Sequence, residues 1–186
     1  MRAYFDAGPF LDYLRFRTTL ADTLRTKGRR GRSPADISGD LDACLERLKV
    51  SDNSCITSSL TFVELERVLY SELMGKSRNV VKSNKAAFLL LSGRSLVDSI
   101  YLMCKVCNIS VVELKVADVL LVLDDREMKE RGLDFGDSLH LATAIRENAD
   151  AILTADEDLL KVDGVFRAAS GSPIRCVDSD GLRGMV

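Results

Sequence analysis

The sequence predicts an α/β fold: a three-layer α/β/α sandwich around a mainly parallel sheet of four or five strands. Three observations lead to this prediction. Short apolar runs typical of buried strands alternate along the chain with amphipathic helical segments. That alternation is typical of a parallel sheet with helices on both faces. The 186 residues, 46% hydrophobic and 29% charged, are also enough to bury a substantial core. We therefore expect a single domain over residues 1–186.

Local patterns place the individual elements. Pro9 suits the first turn of a helix, Gly132 ends one, and Ser92, Gly93 and Arg94 separate a pair of apolar helices. The strands are expected at 2–5, 55–58, 109–112 and 151–153, with a fifth at 174–177. The helices are expected at 9 to about 24, 41–48, 61–74, two within 80–107, 116–131, and 137 to about 149.

Composition predicts a cytoplasmic protein with reduced thiols and no membrane partner. The N-terminus has no apolar run long enough for a signal peptide, and we expect no segment to approach the roughly 20 apolar residues of a membrane span. Five cysteines without framework spacing argue against a secreted disulfide scaffold. Cys104 and Cys107 form a CxxC pair within an apolar helical run. No second pair or histidine stands ready to complete a zinc site, so we expect both in the core.

The net charge of −2 gives the whole molecule no electrostatic bias toward nucleic acid, but one segment is strongly basic. The insert at about 25–33 interleaves its basic residues with two glycines, which is typical of a mobile loop rather than a helix face. Such a loop could bind phosphates. The alternative is a solvated loop that offsets nearby acids, and the sequence does not choose between them. The basic residues are Arg25, Lys27, Arg29, Arg30 and Arg32.

Four acidic residues flank the predicted strands. Asp6 ends the first strand, Glu64 begins the helix after the second, Asp137 opens the helix before the fourth, and Asp156 follows the fourth. Right-handed crossovers return every parallel strand in the same direction, so all four carboxylates reach one edge of the sheet. Their mutual repulsion would be costly without a cation. Mg²⁺ or Mn²⁺ prefers oxygen ligands, and helix N-termini favour ionised carboxylates. The pattern therefore predicts a divalent metal site.

Each acid also has a structural interpretation. Glu64 could complete a capping box with Thr61, and Asp137 could do something similar with Asp134. Asp156 could be the N-cap of a short helix, and Asp6 could be a turn residue before a Gly-Pro pair. Their joint placement at one sheet edge favours the metal site over four independent structural roles.

With these residues in place, the chain resembles the PIN-domain nucleases, which include the toxin ribonucleases of toxin–antitoxin pairs. The matching segments are YFDAGPFLDYL at 4–14, SSLTFVELERVL at 58–69, GLDFGDSLHLATA at 132–144 and AILTADEDL at 151–159. They occur in the family's order and span nearly the whole chain. The resemblance implies a PIN-like α/β/α sandwich and a metal-dependent endoribonuclease centre. Carried over by position, the catalytic and metal-binding acids are Asp6, Glu64, Asp137 and Asp156, with Mg²⁺ or Mn²⁺ as cofactor.

The resemblance also implies partners: RNA, either single-stranded or structured, an antitoxin protein, and a second copy of the chain in a homodimer or higher homo-oligomer. Several features depart from the family. Ala7 stands where these proteins commonly carry Thr or Ser, and the basic insert and a helical segment at about 77–107 exceed a minimal toxin. The fourth acid is ambiguous between Asp156 and Asp158, and the Thr-x-Asp pattern starting at Thr154 favours Asp156.

His140 is the sole histidine and lies one helical turn after Asp137. It is not counted among the site residues, because a lone histidine on a helix is usually structural or exposed. Two other functions compete with the nuclease. A haloacid-dehalogenase-like phosphatase needs a second Asp two residues after the first, and Gly8 occupies that position. A weakly active or inactive PIN-like module for RNA binding or assembly is compatible with Ala7, but such a module would not need all four acids together.

Overall fold

Five parallel strands form the centre of the molecule. The computed structural model describes residues 1–15, 17–18, 29–50 and 53–185. The strands are β1 (Arg2–Phe5), β2 (Ser54–Ser58), β3 (Ile109–Val112), β4 (Ala151–Leu153) and β5 (Arg175–Val177), in the order β3-β2-β1-β4-β5. Every neighbouring pair is parallel. The predicted sandwich with a parallel sheet is confirmed, including the fifth strand.

Nine α-helices are assigned within the described residues, and two 3₁₀ turns precede the fourth. They are α1 (Ala7–Arg15), α2 (Pro34–Val50), α3 (Ser59–Lys76), α4 (Lys85–Val106), α5 (Val116–Asp124), α6 (Arg126–Glu130), α7 (Phe135–Arg146), α8 (Glu157–Lys161) and α9 (Ser179–Arg183). The first helix ends at Arg15, short of the expected end near residue 24, and residues 19–28 lie outside the described ranges of the chain.

The two faces of the sheet have separate apolar layers. Because strand side chains alternate between faces, Phe5 packs with α1, α2, α3, α4 and α9, whereas Tyr4 packs with α5, α6, α7 and α8. By the same alternation, Asp6 follows β1 on the side of Tyr4. The carboxyl ends of the strands lie between these two helical layers, and the acidic residues collect there.

Three further expectations about the helices are wrong, and two of them have a local reason. The second helix begins at Pro34, because Ser33 and Asp36 form a reciprocal capping box ahead of the expected start. The segment 116–131 is two helices, because Asp125 caps a new one by accepting a hydrogen bond from the Met128 amide at 2.9 Å.

The third error concerns α4, which is one helix rather than two. Gly93 sits inside it, where a Cβ would lie 3.9 Å from Leu73 Cδ1 on α3. This separation is an ordinary van der Waals contact, so a side chain would fit there, and Gly93 does not break the helix. Ser92 is buried beside it.

Residues Lys82–Val106 are also long and apolar enough, by length and composition, to cross a membrane. The expectation that no segment approaches a membrane span is therefore wrong. Only 28% of the most apolar window is buried. One such helix is weak support for a membrane, since core helices of soluble proteins meet the same criterion. The buried face of α4 contributes Leu96, Ile100 and Met103 to the core.

All five cysteines are free and buried, as expected for reduced thiols. Burial raises the pKa of the Cys104 thiol to about 11, and it also raises the pKa of Cys107. The CxxC pair is therefore in the apolar core, as predicted.

The described residues of the basic insert form ion pairs. Arg29 and Arg32 bridge each other's backbone in a tight turn. The Arg29 guanidinium lies 2.7 Å from both Asp12 and Asp178, and Arg32 lies 2.5 Å from Asp40. These arginines match the interpretation in which the loop offsets nearby acids. Phosphate binding by the residues at 25 and 27, outside the described ranges, stays a prediction.

Arg29→Ala is expected to lower the free energy of unfolding by about 3 kcal/mol, because the buried carboxylates of Asp12 and Asp178 each lose a charged partner at 2.7 Å. Burial alone would raise the pKa of Asp178, but Arg29 holds it below its ordinary value, so this stabilisation is lost as pH falls through the acidic range. Arg30→Ala is the control: Arg30 is half-exposed and should contribute less than about 1 kcal/mol. Urea unfolding at pH 7 measures both, and equal losses would contradict the prediction.

Candidate metal centre

The centre lies where the strand order reverses. From β1 the sheet continues through β2 and β3 in one direction and through β4 and β5 in the other. Open α/β sheets bind ligands outside the carboxyl ends of strands at such a switch point. Asp6 follows β1 there and donates its backbone N–H to the Leu153 carbonyl oxygen of β4 at 3.1 Å. Asp156 lies three residues beyond the end of β4.

Asp6 is nearly fully buried, with 7% of its surface exposed. Its Oδ1 accepts the Ala7 backbone N–H at 2.5 Å, and its Oδ2 accepts the Thr154 hydroxyl at 2.7 Å. Thr154 Oγ1 also accepts the Asp156 backbone N–H at 2.9 Å. Although Ala7 lacks the hydroxyl common in the PIN family, a hydroxyl does reach the first aspartate, from the end of β4. In the sequence, Thr154 indicates only which acid follows β4, through the Thr-x-Asp pattern.

Glu64 lies in the second turn of α3, and it does not cap that helix. The helix begins at Ser59, its N-cap is Ser58, and the N-cap has no side-chain hydrogen bond. The predicted alternative of a capping box between Thr61 and Glu64 is therefore wrong. Thr61 Oγ1 instead accepts the Thr57 hydroxyl at 2.9 Å, and Glu64 Oε2 lies 2.8 Å from His140 Nε2. Glu64 thus points across to the opposite helical layer.

His140, which was left out of the predicted site, lies in its centre. Its ring is 1% exposed, and its Nε2 lies 2.8 Å from Glu64 Oε2 and 3.4 Å from Asp6 Oδ1. Its Nδ1 lies 2.7 Å from the Tyr4 hydroxyl. Burial alone would lower the pKa of His140, but the hydrogen bond to Glu64 and the nearby negative charges raise it. The sequence carried one signal for this position, the spacing of one helical turn from Asp137.

Asp137 lies in the first turn of α7, where its backbone N–H is bound by Asp134, the N-cap, at 2.8 Å. Half of the suggested capping pair is therefore formed, and it uses the amide of Asp137 rather than its carboxylate. Burial raises the pKa of Asp137 to about 7, and the negative charges of Asp156, Asp134 and Asp6 add to this. Both the burial of Asp137 and the acids around it therefore favour its protonated form when no cation is bound.

Asp156 is the N-cap of α8, since its Oδ1 accepts the Asp158 amide at 2.8 Å. One oxygen serves the cap, and Asp156 stays exposed at the mouth of the site. Asp158, the alternative fourth acid, pairs with Lys161 at 2.6 Å. Capping therefore does not exclude Asp156 from binding a metal.

Two groups of candidate ligands result, each with its ligand atoms within 4.8 Å of one another. Asp6, Glu64 and His140 form the buried group, and Asp137, Asp156 and Asp158 form the outer group. The two groups are close enough for the charge of Asp6 in the buried group to raise the pKa of Asp137 in the outer group. Hard divalent cations suit such a set of carboxylate oxygens. The donor set therefore fits a divalent metal.

A family model of the PIN domain matches residues 38–165, which is more than half of the chain. The chain belongs to the PIN domain family. The matched span of the PIN domain includes Glu64, Asp137 and Asp156, whereas Asp6 precedes it and is brought to the site by β1. No curated protein and no solved structure gives a significant match to the chain.

The match confirms the resemblance seen in the sequence. PIN domains have a nuclease-type fold and typically use divalent metals, and the grouped carboxylates of this PIN domain are in keeping with that chemistry. The roles of the four individual acids stay predictions, since neither the match nor the geometry measures them.

The raised pKa of Asp137 makes the metal-free stability of this PIN domain pH-dependent. The folded pKa of about 7 exceeds the ordinary value, so the stabilisation from the protonated form is complete below about pH 4 and is lost as pH rises through 7. Asp137→Asn stays neutral and lacks this loss. In EDTA, the melting temperature of the variant should therefore rise relative to wild type between pH 5 and pH 8. If the melting temperatures of Asp137→Asn and wild type change equally with pH over that range, the raised pKa of Asp137 is contradicted.

Proposed function

We propose that this protein is a Mg²⁺- or Mn²⁺-dependent endoribonuclease that hydrolyses phosphodiester bonds in RNA. The observation that carries the proposal is the convergence of Asp6, Glu64, Asp137 and Asp156 at the switch point of a PIN-domain sheet. A bound divalent ion would supply a coordinated water of lowered pKa and would offset charge on the phosphate. RNA as the substrate rests on the resemblance to PIN ribonucleases.

The four acids have different roles in this proposal. Asp6, Asp137 and Asp156 offer oxygens to the ion, and Glu64 either adds a ligand or orients the attacking water as a general base. Asp6 is buried and held by Thr154, so it is the fixed point of the site. Asp156 is exposed and faces the solvent from which substrate arrives.

The biological setting belongs to the same proposal. An antitoxin protein as partner and a homo-oligomeric state are supported by the resemblance to toxin-type PIN ribonucleases. A cytoplasmic location is supported by the five free cysteines. The other candidate, a PIN-like module that binds RNA without cleaving it, is motivated by Ala7. The supply of a hydroxyl to Asp6 by Thr154 favours the active enzyme.

Asp137→Asn is expected to abolish metal-dependent cleavage of a single-stranded RNA while the protein stays folded. The variant removes a ligand charge, and removing charge from a repulsive cluster should keep or raise the metal-free melting temperature. Asp98→Asn, an exposed aspartate on α4, is the matched control and should cleave at the wild-type rate. A folded Asp137→Asn protein that cleaves normally would remove Asp137 from the site.

Glu64→Gln separates the metal role from a structural one. Glutamine keeps an oxygen that can accept from His140, so the free energy of unfolding without metal should fall by less than about 1 kcal/mol, the typical net value of one hydrogen bond. The rise in melting temperature on adding Mn²⁺ should shrink, because bound ligand stabilises the folded state. Cleavage should fall on the order of 100-fold or more.

Glu66→Gln is the control for this variant, since Glu66 lies exposed two residues further along α3. It should match wild type in both the Mn²⁺ response and cleavage. If wild type itself shows no Mn²⁺ response and no cleavage, the RNA-binding module replaces the nuclease as the function.

A further inference from the structure

We propose that Gly136 and His140, one turn apart on α7, form a seat that holds the Glu64 carboxylate in its working position. Both are positioning residues, and Tyr4 supports His140 from β1. This inference rests on the proposed nuclease function, because it assigns residues that act on the metal centre through Glu64. It adds two positions that the predicted set of four acids does not contain.

The first contact is the hydrogen bond from His140. An ionised carboxylate only accepts hydrogen bonds, so the Nε2 atom at 2.8 Å from Glu64 Oε2 carries a hydrogen. Nδ1 lies 2.7 Å from the Tyr4 hydroxyl, which can donate to a neutral ring or accept from a charged one. In both protonation states of the ring, Nε2–H points at Glu64. The positioning role therefore does not depend on which state is present.

The donor is rigid, whereas the acceptor is not. His140 and Tyr4 are almost completely buried, and their rings meet edge-on with centroids 5.7 Å apart. The Tyr4 hydroxyl also contacts Ser58 Oγ at 2.8 Å, which ties the pair to the end of β2. The Glu64 side chain is 33% exposed and has rotatable bonds that could carry it into solvent. The contact with His140 restricts it to one position.

The second contact is the space left by Gly136. A Cβ built on Gly136 would lie 3.0 Å from Glu64 Oε1 and 3.3 Å from Asp134 Oδ1. These separations are tighter than ordinary van der Waals contacts, so a side chain here would shift the Glu64 carboxylate by a few tenths of an ångström. His140 therefore holds one oxygen of the carboxylate while the absent side chain of Gly136 makes room for the other. A glutamate with both oxygens located in this way presents a defined geometry to the metal site.

The test measures Mn²⁺ binding and RNA cleavage in Gly136→Ala. We expect affinity for Mn²⁺ or cleavage to fall about 10- to 100-fold, the usual effect of losing a residue that orients a metal ligand. The metal-free melting temperature should not fall in parallel, because alanine has the higher helix propensity. Gly39→Ala is the matched control: Gly39 is also helical, and a Cβ there meets nothing within 4 Å. It should leave Mn²⁺ affinity and cleavage unchanged.

A second pair of variants tests the hydrogen bond. His140→Ala removes the donor and should lower Mn²⁺ affinity or cleavage to a similar extent. His140→Gln places an amide N–H near the position of Nε2 and should recover most of the loss. A role limited to filling the core would show no such recovery, since alanine and glutamine variants would then differ only in stability. Metal-free melting temperatures, measured in EDTA, report that stability separately.

Electron spin-echo spectroscopy of bound Mn²⁺ distinguishes positioning from direct ligation. We expect no ¹⁴N coupling from an imidazole, because His140 Nε2 is engaged with Glu64. A ¹⁴N coupling that disappears in His140→Gln would make His140 a metal ligand and would overturn the proposal. If Gly136→Ala and His140→Ala both bind Mn²⁺ and cleave RNA as well as wild type, the proposal is also overturned. In that case the nuclease function still holds, because the wild-type protein binds Mn²⁺ and cleaves RNA. Failure of wild type to bind Mn²⁺ and cleave RNA would instead contradict the proposed function itself.

Discussion

The parallel pairing of β1 with both β2 and β4 is the constraint on which the site depends. The chain leaves β1 and β4 toward opposite sides of the sheet, so a cleft opens between the carboxyl ends of these two strands. Asp6 is fixed at the floor of that cleft by backbone and side-chain hydrogen bonds that span β1 and β4. The helical layers on either face then bring Glu64 and Asp137 to the same place.

Concentrating carboxylates in this way has an electrostatic cost, and the structure shows how the fold tolerates it. Some of the charge is bound by backbone N–H groups, as at Asp6 and at the helix cap made by Asp156. His140 bridges the space between Glu64 and Asp6. Burial raises the pKa of Asp137 to about 7, and the negative charges of Asp156, Asp134 and Asp6 raise it further. A divalent cation would offset these negative charges.

The ion pairs at the carboxyl end of β5 have a structural role. Arg29 and Arg32 connect the chain just before α2 to Asp178 and to Asp40 on α2, so the described part of the basic insert, residues 29–33, is bound to the body of the domain. Local charge density alone favours a phosphate-binding loop and a loop that offsets nearby acids equally. The decisive fact is the position of the acids, which are distant in sequence and adjacent only after folding.

The sequence by itself determined the fold class, the strand positions and the cluster of four acids. These follow from short-range periodicity and from the rule that parallel strands end at one edge, which needs no side-chain detail. The sequence also indicated the N-cap at Asp156, because capping is a local interaction.

Only the tertiary structure decided which residues surround Glu64. Its hydrogen-bond donor is 76 residues away at His140, and the support from Tyr4 comes from a different strand. The continuity of α4 through Gly93 is likewise seen only in the structure. These contacts depend on how the layers of the domain pack against each other. The periodicity of one segment does not identify the residue of another layer that it contacts.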